Sequence, residues 1–166
     1  MIFRSIALAA MAMTMSACTQ AAKATFQVQV INKTPGPISV ALVKDAPLGH
    51  RPAVEEGWAA PEDVALGAPQ LSERHWGRLV QPGQAILIGP LTGEFPRGIY
   101  AALRVYEGNH TIGELVAFNQ EDPDRLDVIL EQGLSAFIIE RKDRRLQAVP
   151  TQPIGPPPAT RPTSQP

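Results

Sequence analysis

Apolar and polar residues alternate strictly from residue 25 onward. Phe26, Val28 and Val30 point one way and Thr25, Gln27 and Gln29 the other, which is the period of two of a half-buried strand. Asn-Lys-Thr-Pro-Gly-Pro at 32–37 combines turn formers with ladder breakers. Ile38, Val40 and Leu42 then resume the alternation, so the first two strands are expected to pair as a hairpin. The β pattern returns after Trp76. Leu79 and Val80 run into a Gln-Pro-Gly-Gln turn, residues 84–88 form a short strand, and 89–98 reads as a loop with two prolines. Ile99, Ala101, Leu103 and Val105 alternate with Tyr100, Arg104 and Tyr106. Gly108-Asn109 suits a two-residue hairpin turn because both residues tolerate positive φ. The chain is expected to return as a strand over 112–117 with Ile112, Leu115 and Ala117 inward. A bulge at Gly113–Glu114 would set Leu103 opposite Leu115. Leu126, Val128 and Leu130 give the next strand. Residues 134–140 are apolar on both faces towards their end and predict a central strand. Leu146 to Val149 closes the pattern.

Seven or eight short strands with turns between most of them predict an all-β fold. The expected architecture is a small antiparallel β-sandwich, immunoglobulin-like or transthyretin-like, with one long irregular loop. Val28, Val40, Leu103, Val105 and Val128 should share its inner face. Tyr100 stands where a corner tyrosine would, by analogy with immunoglobulin-like sandwiches. Residues 45–75 hold no strand period and are punctuated by Pro47, Pro52, Pro61 and Pro69. One helical turn fits 61–66, with Pro61 at its first position, Glu62 and Asp63 at its positive end and Gly67 at its stop. Residues 150–166 carry seven prolines. They are expected to join no core and to be disordered or loosely polyproline-like.

The first residues read differently. Arg4 precedes an apolar run from Ile6 to Met15, and the small residues Ser16 and Ala17 precede Cys18. The run has the length of a signal-peptide core and is shorter than the ~20 apolar residues of a membrane-spanning helix. Met15-Ser16-Ala17-Cys18 resembles a bacterial lipobox, with Met15 where Leu is usual. The resemblance implies cleavage before Cys18 and a lipid on its thiol, so the chain is expected to meet the membrane through that lipid. Thr19 replaces the Asp that favours inner-membrane retention, which points to the outer membrane facing the periplasm. The chain then divides into a signal peptide at 1–17, a lipid-bearing tether at 18–24, the sandwich at 25–149 and the tail at 150–166.

Composition removes several functions. The formal charge is −1, with no basic field to hold nucleic acid. Cys18 is the only cysteine; once lipidated it leaves no thiol for a disulfide, a metal site or a nucleophile. His50, His75 and His110 have no metal-type spacing. The acidic turn Glu121-Asp122-Pro123-Asp124 with Asp127 lacks the ligand order of a calcium loop. Nothing positions Glu55-Glu56 against Glu62-Asp63 for acid–base chemistry. The basic run Arg141–Arg145 reads as a solvated hairpin tip rather than a lipid site. No serine, Ser135 included, has a nucleophile-elbow setting. The sequons at Asn32 and Asn109 are read as chance matches. No catalytic residue, metal or cofactor is assigned.

Trp58 and Trp76 flank the irregular segment and are the candidate binding residues. The competing expectation makes them packing plugs over one end of the sandwich. The sequence thus predicts a non-enzymatic, lipid-tethered module of the cell envelope that binds an envelope protein or glycan. The alternative is a small-ligand or carbohydrate binder that uses the 45–76 loop. The general plan resembles that of the small sandwich lipoprotein of the type VI secretion apparatus, in plan and not in any motif.

Overall fold

The computed structural model describes residues 21–46, 55–59, 73–116 and 121–155. Cys18, the 1–20 segment, His50, the helical turn expected at 61–66 and residues 156–166 lie outside them. Among the described residues there are eight strands: β1 (Ala22–Asn32), β2 (Ile38–Asp45), β3 (Arg78–Val80), β4 (Ala85–Phe95), β5 (Tyr100–Glu107), β6 (Arg125–Ile129), β7 (Gly133–Lys142) and β8 (Arg145–Pro150). They form two four-stranded sheets, β4-β1-β7-β8 (sheet one) and β3-β2-β5-β6 (sheet two), packed as a small all-β sandwich. All pairs are antiparallel except β1 with β7.

The core follows the alternation. Phe26, Val28 and Val30 from sheet one meet Ile38, Val40, Leu42, Leu103 and Val105 from sheet two, all buried, with Val128 packed against them. β2 is buried on both faces because its odd residues, Ala41 and Val43, meet a second cluster outside sheet two made with Trp76, Ala102, Tyr106 and Leu115. That second layer was not visible in a pattern read for one buried face.

Several expected pairings are corrected. β1 and β2 do not form a hairpin; the 33–37 turn carries the chain from one sheet to the other. Asn32 makes this corner. Its Nδ2 donates to the carbonyls of Gly36 (2.9 Å) and Val80 (2.9 Å), and its Oδ1 accepts from the amide and the hydroxyl of Thr34, both at 2.8 Å. The side chain is fully buried and donates both amide hydrogens, and the single proton of the Thr34 hydroxyl is shared between its Oδ1 and the Gly36 carbonyl, each at 2.8 Å. Burial also keeps this sequon asparagine from solvent.

The 89–98 stretch is not a loop but most of β4. Gly89 and Pro90, joined by a cis peptide bond, sit where the β1–β4 register shifts between Phe26 and Val28. β4 is an edge strand, where a proline costs no ladder bond if it stands at a bulge. Gly89 has φ +91°, and a Cβ there would lie 2.6 Å from the Phe26 carbonyl oxygen, so this position requires glycine.

Residues 112–116 do not return beside β5, and Ala117 lies outside the described residues. Ile112–Leu115 form a single helical turn, α1. Leu103 pairs with Leu42 and Val128, and Leu115 belongs to the outer cluster. The decisive residues are Thr111 and Glu114: Thr111 Oγ1 accepts from the Glu114 amide (3.4 Å), and the Glu114 carboxylate accepts from the Thr111 amide (2.7 Å). This capping box satisfies donors that a helix start leaves open.

The tail also departs from expectation in its first residues. Thr151 continues from β8, its amide donating to the Ala136 carbonyl at 2.9 Å, and the chain then crosses the outer face of sheet one as far as Gly155.

Candidate functional site

Inward parity along β2 runs Ile38, Val40, Leu42 and then Lys44. The last of these brings an ammonium to the mouth of the sandwich, the end at which β1 begins. The Lys44 side chain is 4% exposed. Its Nζ lies 4.7 Å from the ring centre of Phe95 and 5.6 Å from that of Trp58, donates to the Glu94 carbonyl at 2.9 Å and is paired with Glu55. Ring faces, a carbonyl and a carboxylate together replace the water that the ammonium gives up. Gly93 leaves the room: a Cβ there would sit 2.6 Å from Lys44 Cε. The hydrogen bond from Lys44 holds the Glu55 carboxyl below its usual range, partly opposed by burial.

Glu55 and Trp58 fasten residues 55–59 to this mouth. Trp58 enters the main core edge-on to Phe26 (5.9 Å) and Phe95 (5.6 Å), and its Nε1 donates to the Thr92 carbonyl at 3.4 Å. The Trp58 amide bonds to the Glu55 carbonyl, and the Ala59 amide donates to Leu42, extending β2 beyond the point where β3 pairs with it. Between them, Glu56 and Gly57 form an exposed turn.

Trp76 stands on the opposite face of sheet two. It is buried, edge-on to Tyr106 at 4.9 Å, and its Nε1 has no hydrogen-bond partner among the described residues. The two tryptophans are therefore not brought together. Odd and even residues of β2 face different indoles, and both rings pack as plugs. Neither presents a face to solvent.

The remaining candidates sort by geometry. Segment 74–76 pairs with 110–112, through Trp76 N to His110 O (3.0 Å) and Ile112 N to Arg74 O (2.8 Å), so His75 and His110 lie on neighbouring stretches. His110 Nε2 is 2.5 Å from the Glu107 carbonyl oxygen. Among the described residues no group of three or more His, Cys, Asp and Glu is arranged to hold a metal. The acidic and basic turns of the sequence meet each other: Arg141 of β7 pairs with Asp124 and with Glu107 at the end of β5, tying the two sheets together. Tyr100 opens β5 and packs on the outer cluster; its hydroxyl makes no corner bond among the described residues. Burial, then the nearby Asp45 and Asp127, push that phenol above its ordinary range.

Sequence reading passed over two buried cations. Arg104, 1% exposed, bonds Asp127 Oδ1 through Nε (2.6 Å) and Asp45 Oδ2 through Nη2 (2.7 Å) on the outer side of sheet two. Its outward parity gave no hint of burial, whereas the inward parity of Lys44 did.

No known protein family matches this chain, and no curated protein matches it in sequence.

Proposed function

We propose that this protein is a non-enzymatic, lipid-anchored binding module of the bacterial cell envelope. The address rests on Cys18 and the signal-like run before it. The binding reading rests on one structural observation: residues 55–59, within the stretch that lacks a strand period, are held at the mouth of the sandwich by Trp58 and the Glu55–Lys44 pair, with the Glu56–Gly57 turn left exposed. Fixed loops on rigid sheets are a common way of presenting a contact surface. The indoles then act as pillars, and the contact residues are their exposed neighbours. Stacking of a sugar on Trp58 or Trp76 finds no support, because both rings are covered. A protein partner is favoured, and the likeness of plan to the small type VI secretion lipoprotein makes a multi-protein envelope assembly the first class to test.

Two measurements test this. Replacing Cys18 by Ser should abolish acylation and move the protein from the membrane fraction to the soluble envelope fraction; retention on membranes after a high-salt wash would remove the anchor. In crosslinked envelopes, Glu56→Lys should reduce partner capture with an unchanged urea midpoint. Undiminished capture by that variant would take the partner surface away from this segment.

A further inference from the structure

We infer that the outer face of sheet one is a bilayer-contact surface, so that the domain lies on its side against the membrane; this rests on the lipid anchor proposed above. The face is unusual in what it exposes. Leu87, Leu134, Val149 and Ile154, from 38% to 60% exposed, all lie on it, four of the seven large apolar residues exposed among those described. Register places Leu87 beside Gln29, Gln29 beside Ala136, and Val149 beside Ile138, which alternates outward with Ala136 and Leu134. Among the described residues of sheet one, the charged side chains of this face stand at its two ends, Lys23 and Glu94 at one and Glu140, Lys142 and Arg145 at the other, and Arg78 of β3 reaches its β4 edge, donating to the Leu87 carbonyl at 3.3 Å. Between the two ends an apolar groove of about 510 Å³ runs beside Leu87, Leu134 and the Pro153–Gly155 segment.

The opposite outer face of the sandwich is not available in the same way. It is covered by Trp76 and α1, and its central strand carries the Arg104 ion pairs. Among the described residues one broad sheet face is left without a partner beyond the 151–155 strap, and patches of this kind usually mark an interaction surface.

The occupant follows from the tether. Cys18 precedes Ala22, the first residue of β1, by four residues, a reach of about 14 Å at most. β1 belongs to the apolar sheet and is itself about 36 Å long at ~3.3 Å per residue. A lipid on Cys18 therefore keeps the bilayer close to sheet one. The alternative stance has the domain upright on the end from which the tether leaves. That end presents the exposed charges of Lys23, Glu94, Arg97 and Glu131, which suit water. The apolar face suits the headgroup–acyl boundary, where burial of apolar surface adds to the hold of an acyl chain. Gln29 grips Ile154 by its backbone and leaves its side chain outermost.

The experiment uses the full chain isolated from membranes and reconstituted in phosphatidylethanolamine–phosphatidylglycerol vesicles. With Cys18 acylated, Leu134→Cys supplies the only free thiol for an environment-sensitive fluorophore; Arg97→Cys and Glu73→Cys serve in parallel. Spin-labelled lipid should quench the label at 134 several-fold more than the labels at 97 and 73. Equal quenching at 134 and 73, or strong quenching at 97 alone, overturns the inference. So does a Cys18→Ser chain that is a stable dimer by light scattering and becomes a monomer with Leu134→Asp, since the face would then be covered by a second copy. The mass of the Cys18 peptide reports the anchor separately. If the acyl mass is absent the anchor reading fails, and the inference stands only if the 134 label is still quenched on vesicles.

Discussion

The carboxamide of Gln29 brackets the backbone of Ile154: its Nε2 donates to the Ile154 carbonyl at 3.1 Å and its Oε1 accepts from the Ile154 amide at 2.7 Å. A single side chain thus does for the tail what a neighbouring strand would do. It turns the residues after Pro150 into a strap across sheet one, over Ala136, which is 4% exposed.

Truncation after Pro150 should therefore lower stability. The loss comprises the Thr151–Ala136 bond, the two bonds to Gln29 and the cover over Ala136. Net hydrogen bonds of this kind are worth about 0.5–1.5 kcal/mol each, so the expected cost in urea unfolding is about 1.5–4.5 kcal/mol, towards the low end because the two Gln29 bonds are exposed. Gln29→Ala should reproduce about half of it. A truncated chain with an unshifted midpoint would show that the strap contributes nothing.

Trp58→Ala should cost about 3–5 kcal/mol, as for other buried aromatics. It removes two edge-on ring contacts and a face beside the Lys44 ammonium, which then sits next to a cavity. Trp58→Phe should lose clearly less, because it keeps most of the volume. The check is the urea midpoint of both variants, with near-ultraviolet circular dichroism reporting the packing. A midpoint near wild type for Trp58→Ala would mean that the indole is not a structural pillar.

Acid should release the same corner. Glu55 titrates below its ordinary value of 4.5 in the folded chain, chiefly through the Lys44 hydrogen bond. A carboxyl with a depressed folded pKa contributes stability that is complete above its unfolded pKa and is lost as pH falls through the folded one. The contribution is thus full at neutral pH and fades below about pH 4.5. The Glu55 side chain is 34% exposed, so solvent weakens the effect. Glu55→Gln should have a lower urea midpoint than wild type at pH 7, with the gap closing as pH drops towards 3. A gap independent of pH would refute the pairing as its origin.

Asn32→Ala should destabilise by about 2–4 kcal/mol. It removes the Asn32 bonds to the Val80 carbonyl and the Thr34 amide, while the Gly36 carbonyl keeps the Thr34 hydroxyl, and buried polar groups left unpaired cost about 1–3 kcal/mol each before relaxation. Asn32→Asp should be at least as harmful, since it keeps the acceptor, loses both donors and buries a charge. Thermal unfolding of the two variants gives the order.

The sequence by itself determined the strands whose apolar residues repeat with period two, and through them the sandwich and its core. Val28, Val40, Leu103 and Val105 could be placed inside because alternation is a local property of the chain. The inward parity of Lys44 was there to be read as well, although a charged residue on that parity was passed over. Which strand lies beside which was decided only in three dimensions. Turn residues at 33–37 fit a hairpin and a sheet-to-sheet corner equally well, and only the buried Asn32 carboxamide, bonded to Val80 far along the chain, distinguishes them. The T-x-x-E box at Thr111 was a local signal for α1, but a short apolar run beside a Gly-Asn turn reads equally as strand. The strap depends on Gln29 and Ile154, 125 residues apart. The opposite sides taken by Trp58 and Trp76 follow from the parity of β2 that each indole meets, even for one and odd for the other. Such contacts are made by tertiary packing, where burial of apolar faces and pairing of every buried polar group select one arrangement among several that the local pattern permits.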